Sequence, residues 1–258
     1  MSSPSGSDCL QAMSRTILIG DVHGCSAELA LLLEKTAFAS GDQLIFVGDL
    51  VARGPDSLGV LDIVRRTGAL VVRGNHEDKI LEWRRGRRAH ARGGAEPVPL
   101  GRLHAGVAAA LRPVDWSILS STPLWLDLPE HGLRVVHAGV LPGLPIEEQR
   151  KKTLLHVRTV GANGEAREDK DGEMLWGKRY KGPPHIVFGH NAGPLPQLHP
   201  WATGLDTGCV YGGHLTALVL GEGQKVPKDS RARRRHLVSV PARYPYFVGP
   251  PMARRRVA

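Results

Sequence analysis

Thr16-Ile17-Leu18-Ile19-Gly20-Asp21-Val22-His23-Gly24 joins a short apolar run to a loop of Gly, Asp and His. An apolar run of this length ending on glycine reads as a buried strand, and the loop beyond it carries two cation-binding side chains. The construction recurs. Residues 44–47 lead into Gly48-Asp49-Leu50-Val51-Ala52-Arg53-Gly54, and residues 69–72 lead into Arg73-Gly74-Asn75-His76-Glu77. Leu133–Val136 precedes His137-Ala138-Gly139, and residues 186–188 precede Gly189-His190. Between the first strands, Leu29, Leu32 and Leu33 have helical spacing behind Ser26, a candidate N-cap. Leu58, Leu61 and Val64 repeat that spacing behind Asp56 or Ser57. The β-α-β-α-β rhythm predicts an α/β sheet with helices on its faces. Residues 204–208 and 215–220 read as a closing pair of strands.

In open α/β sheets, ligands bind where loops leave the carboxyl ends of strands. Asp21, His23, Asp49, Asn75, His137 and His190 all lie just past a predicted strand, so they can converge although they span most of the chain. Carboxylate, imidazole and amide oxygen make a mixed N/O donor set. That set favours two divalent ions such as Mn²⁺, Co²⁺, Fe or Zn²⁺ over Ca²⁺. Two such ions about 3.5–4 Å apart can clamp a phosphate, lower the pKa of a water and stabilise in-line displacement. The chemistry needs a carboxylate between the ions, a histidine left free to protonate the leaving oxygen, and arginines to grip phosphate oxygens. The eight histidines outside these loops, His104 among them, read as surface or satisfied core residues.

The 258 residues suffice for one core with insertions, and no apolar run approaches the roughly 20 residues of a membrane helix. No signal peptide is visible at the N-terminus, and the three scattered cysteines fit a reducing cytoplasm. Residues 1–14 are small and polar and are expected to be disordered, with the folded domain over 15–223. Residues 84–112 break the strand–helix rhythm and read as an inserted loop or small helical cap, with an Arg84–Arg92 cluster at its start. Net charge is +9. Residues 225–258 hold ten Lys and Arg against one acid, so the body is neutral and 224–258 reads as a basic tail. Such a tail can attract polyanions, RNA included, or remain a solvated extension.

Taken together, the five loops resemble those of the calcineurin-like metallophosphoesterases, in the branch that contains the phosphoprotein phosphatases. The resemblance covers about residues 15–220. It implies a central β-sandwich of mixed sheets flanked by helices, in place of a single doubly wound sheet. It also implies that Asp21 and His23 bind a first metal, Asp49 bridges, Asn75, His137 and His190 bind a second, and His76 is the general acid. Arg53 and Arg73 would contact phosphate, as would Lys178 or Arg179 in Trp176-Gly177-Lys178-Arg179. Phosphoprotein phosphatases carry a second Asp in the Gly-Asp-x-Val-Asp-Arg-Gly loop, hydrogen-bonded to the acid histidine. Ala52 stands there in this chain. That loop, with Leu205-Asp206-Thr207-Gly208-Cys209, is more similar to the symmetrical diadenosine tetraphosphate hydrolases. The resemblance therefore implies cleavage of diadenosine tetraphosphate to two ADP. Glu77, where those hydrolases usually have Asp, keeps phosphoprotein substrates open, and dinucleoside-tetraphosphate caps on RNA 5′ ends present the same scissile group.

Overall fold

A computed structural model describes residues 14–169 and 174–248. Its first half runs β1 (Thr16–Ile19), α1 (Ser26–Lys35), β2 (Gln43–Phe46), α2 (Ser57–Thr67), β3 (Leu70–Val71) and α3 (Asn75–His90). Helices α4 (Arg102–Ala110) and α5 (Pro113–Ser121) follow, then β4 (Trp125–Leu128), β5 (Leu133–Val136), α6 (Lys151–His156) and β6 (Thr159–Val160). The second half continues with β7 (Ala166–Arg167), β8 (Met174–Leu175), α7 (Trp176–Arg179), β9 (His185–Phe188), β10 (Gln197–Leu198) and β11 (Ala202–Gly204). It closes with β12 (Asp206–Thr207), β13 (His214–Leu220), α8 (Ser230–Arg234) and β14 (Leu237–Pro241).

These strands form two main sheets. One has the order β12-β13-β1-β2-β3 with β14 on the outer side of β13, and the other has the order β10-β11-β9-β5-β4. A small sheet, β7-β6-β8, stands apart. Strand alternation explains the layering. Ile17 and Ile19 of β1 pack beneath the helices with Leu29, Leu61 and Ile80, whereas Leu18 joins Ile45, Val135, Val187 and Leu218 between the sheets. On the outer face of the second sheet, Val136, Ile186 and Phe188 pack with Trp176 and Leu154. Each central strand is buried on both faces, which is why it is apolar throughout.

The parallel pairs decide where the site lies. β1, β2 and β3 run parallel in one sheet, and β5, β9 and β11 in the other. Their carboxyl ends meet at one edge of the sandwich. There the His137 ring bonds Val47 O at 2.9 Å and His190 N donates to the Asp21 carboxylate. Close packing of the loops excludes side chains at two glycines. A Cβ on Gly189 would overlap Asp21 Oδ1, and Gly48 adopts φ +103° against Gly74.

Three expectations change. Asp56 caps α2 through Gly59 N at 2.8 Å, but Ser26 lies inside α1 and its hydroxyl donates to Asp56 instead of capping. Residues 84–90 belong to α3, the helix that begins at Asn75, so the arginine cluster is not on a separate insertion. Residues 225–248 are not a solvated tail: β14 pairs with β13 over five residues, and Arg233 is fully buried. The composition of that segment hid Leu237-Val238-Ser239-Val240, a short strand among arginines. Removal at Gly223, in sequence terms a way to delete a polyanion-binding tail, would strip a strand from the sheet. Residues 1–13 and the final arginine run, Arg254 to Arg256, lie outside the described residues. No helix among the described residues is long and apolar enough to cross a membrane.

Candidate metal centre

Asp49 lies at the middle of the site. One carboxylate oxygen is 3.5 Å from His23 Nε2 and the other 3.5 Å from His137 Nε2. Two donor clusters therefore share it: His23, Asp49 and His76 form one, and Asp49, His137 and His190 form the other. Asn75 Oδ1 belongs with the second, 3.0 Å from His137 Nε2 and 2.9 Å from His190 Nδ1. Asp21 is buried alongside, both carboxylate oxygens accepting from His190 N at 3.0 and 3.1 Å. All six predicted ligands thus converge. A shared anion between two N/O clusters is the arrangement that a pair of divalent cations needs.

The electrostatics fit the same occupants. Burial, with Asp206 and Asp49 nearby, raises Asp21 well above the ordinary carboxylate range. Burial also pushes His23 and His190 well down, leaving neutral imidazoles ready to donate a lone pair. His190 Nε2 is buried with no hydrogen-bond partner among the described residues. Asp49 would be raised by burial, but His137, His23 and Arg53 hold it below its usual value. Clustered buried acids beside neutral imidazoles are costly without cations and favourable with them.

Local backbone strain concentrates here. His23, Asp49, Ala52, Arg53 and His190 all have positive φ, between 48° and 70°. Each costs about 1–2 kcal/mol in this region for a residue with a Cβ. Glu77 holds the β2 loop in that shape. Its fully buried carboxylate accepts from Asp49 N, Leu50 N and Gly74 N, each at 2.9 Å, and from Val51 N at 3.3 Å. Burial and Asp49 push Glu77 up to about 8, while the four N–H donors pull the other way. Glu77 is therefore a tether for the Asp49 loop. Glu77→Gln turns an amide donor toward N–H groups, and we expect about 2–4 kcal/mol of lost stability. Glu77→Asp keeps a carboxyl group with two oxygens that can accept these N–H bonds and should cost less; thermal unfolding of the two variants checks the order.

The arginines divide. Arg53 Nη1 donates to His23 Nε2 at 2.9 Å, and its guanidinium lies 5.6 Å from the Tyr211 ring and 5.8 Å from Phe247. Arg73 turns to the other side of its strand end. Its guanidinium bonds Thr122 Oγ1, Thr122 O and Ser120 O, and none of these acceptors belongs to a ligand residue. Lys178 and Arg179 are exposed, and Arg179 donates to Gly161 O at 3.1 Å. Trp176, just before them, is buried. Its indole fills the space above Gly139 and donates to Ala138 O, fixing the His137 loop.

Three residues given no role in the motif reading lie at the site. Arg158 has a buried Nε with no partner among the described residues, and Asp206, Arg53 and Tyr211 are near enough to bias its charge. Asp206 is buried near Asp21. His104, from α4, places Nε2 3.0 Å from His76 Nδ1. Burial and Arg53 push His76 down to about 2, and its Nε2 is 4.0 Å from Asp49 Oδ2. Asp206 lies in the Asp-Thr-Gly stretch, a visible signal; Arg158 and His104 sit in unremarkable sequence.

The calcineurin-like phosphoesterase family matches residues 14–217. A protein of Anoxybacillus flavithermus named bis(5′-nucleosyl)-tetraphosphatase PrpE, asymmetrical, is 32% identical over 247 residues, covering 89% of this chain and 95% of its own length. One of the same name from Geobacillus thermodenitrificans is 34% identical over 219 residues, covering 78% and 88%. The crystal structure of a candidate diadenosine tetraphosphatase superposes with a TM-score of 0.73 at 34% identity, covering 90% of this chain and 95% of the other. A yeast serine/threonine phosphatase, at TM-score 0.50 and 16% identity, shares the fold.

Proposed function

Because the chain belongs to the calcineurin-like phosphoesterase family, we propose that it is a two-metal hydrolase of dinucleoside polyphosphates such as diadenosine tetraphosphate. The observation that carries this reading is the pair of donor clusters sharing Asp49, in a chain about a third identical to named tetraphosphatases. The names of those relatives favour the asymmetrical split, in which water cleaves the tetraphosphate between its first and second phosphates to give ATP and AMP. The loop motifs alone suggested the symmetrical split into two ADP.

Asp21, His23, Asp49, Asn75, His137 and His190 would hold the cations, for which the donor set suits Mn²⁺. When bound, the ions supply an activated water and neutralise charge on the phosphorus under attack. Arg53, set at the His23 edge of the site, and Arg158, with its buried unpartnered Nε, would hold non-bridging phosphate oxygens. His76 would present Nε2 to the departing nucleotide. A nucleoside polyphosphate is a good leaving group and needs little proton donation. Weak proton donation by His76 is therefore less of a handicap here than with a seryl phosphate.

Product analysis with Mn²⁺ tests both levels. ATP and AMP in equal amounts are expected. Two ADP would restore the symmetrical split while keeping the hydrolase. Orthophosphate from a phosphopeptide, released faster than any nucleotide, would replace the reading with a protein phosphatase.

A further inference from the structure

Ala52 leaves the acid histidine without the carboxylate that the related phosphatase loop carries, and its methyl cannot accept a hydrogen bond. The His76 ring is nevertheless held. His104 Nε2 lies 3.0 Å from His76 Nδ1, with the ring planes 29° apart. His104 comes from α4, 28 residues further along, in a segment that carries none of the metal ligands.

We propose that His104 is the positioning partner of His76, taking over from helix α4 the role for which residue 52 has no acceptor. One proton bridges the two rings. With His104 as acceptor, His76 keeps its hydrogen on Nδ1, and its Nε2 is aimed at the leaving oxygen. His76 Nε2 takes up a proton from solvent water and passes it to the departing oxygen while Nδ1–H stays in place, so the ring returns to its neutral form and the contact to His104 survives the transfer. Burial and the nearby Lys79 and Arg53 disfavour a charged His104, which suits it to accept. A neutral acceptor orients the ring as a carboxylate would but stabilises the imidazolium less. The pairing therefore suits substrates with good leaving groups. This deepens the proposed phosphoesterase chemistry and rests on it, but not on which nucleotide is cut.

The test uses the full chain with Mn²⁺ and aryl phosphomonoesters running from nitrophenyl to phenyl, beside diadenosine tetraphosphate. His104→Phe keeps a ring and loses the acceptor, whereas His104→Gln loses the ring and keeps an acceptor. His104→Phe should lower kcat on phenyl phosphate about 10-fold or more, and on nitrophenyl phosphate about 2-fold, with KM little changed. His104→Gln should retain most of the wild-type rate. Adding Ala52→Asp to His104→Phe should restore the rate on phenyl phosphate. The proposal is overturned if Phe matches wild type, if Phe and Gln are equally impaired, or if the loss is the same for every leaving group. Should the double variant fail to fold, the Phe–Gln comparison decides alone. Activity on the aryl esters without activity on the dinucleotide would sink the substrate reading and leave this test intact.

Discussion

Asp49→Asn is expected to lose on the order of 10³-fold or more in kcat while the protein remains folded. The two Asp49 oxygens face His23 and His137 at 3.5 Å each. An amide offers one acceptor and no charge, and its NH₂ would stand against one imidazole. The same carboxylate accepts from His76 N at 3.0 Å, so the substitution also loosens the start of α3. Despite its burial, Asp49 is held below its usual value by His137, His23 and Arg53, so the metal-free variant should unfold cooperatively at a somewhat lower thermal midpoint. The stabilisation that Mn²⁺ gives by binding should shrink. Wild-type-like kcat in a folded Asp49→Asn protein would remove the dinuclear assignment.

The largest effect on stability is expected away from the site. Arg233 is fully buried, and its guanidinium donates to Pro227 O, His199 O, Ala202 O, Pro200 O and Lys228 O and to Thr203 Oγ1, at 2.7 to 3.4 Å. Burial pushes it down to about 10, still charged at neutral pH. Arg233→Met fills part of the volume but strands several carbonyls without a donor. Buried unsatisfied acceptors cost about 1–3 kcal/mol each, reduced where the chain can relax, so a loss of about 4 kcal/mol is expected. In a domain of this size that lowers the thermal midpoint by about 10 °C. A shift below about 2 °C would mean that the loops around Arg233 are held by other contacts.

The candidate metal ligands were legible because each follows a strand buried on both faces, where apolar runs and glycines are unambiguous. Those strands could not be assigned to one sheet or two from periodicity. β5 and β9 read like β1 and β2, and only the packing of Val135 and Val187 against Leu18 and Ile45 separates the layers. The second set of site residues was illegible for a different reason. His104 is in α4, Arg158 lies two residues past the end of α6, and neither sits where a strand ends. The resemblance drew attention to Trp176 for the cations that follow it, whereas the contact the indole itself makes is over the bare Cα of Gly139. The final segment misled through its charge: ten cations masked one strand and one buried arginine.

The aromatic wall beside Arg53 has a consequence for the order in which the protein is made. Phe247 reaches that guanidinium, while Tyr246 OH and Arg243 N bond Glu28 Oε1 across 218 and 215 residues. A ribosome that has produced every metal ligand, the last being His190, has still to add the residues that brace the first two loops. Contacts so distant in sequence form late in folding. A nascent chain can therefore bring its candidate ligands together before Arg53 is fixed against them, and that bracing waits until residues 243–247 have been added.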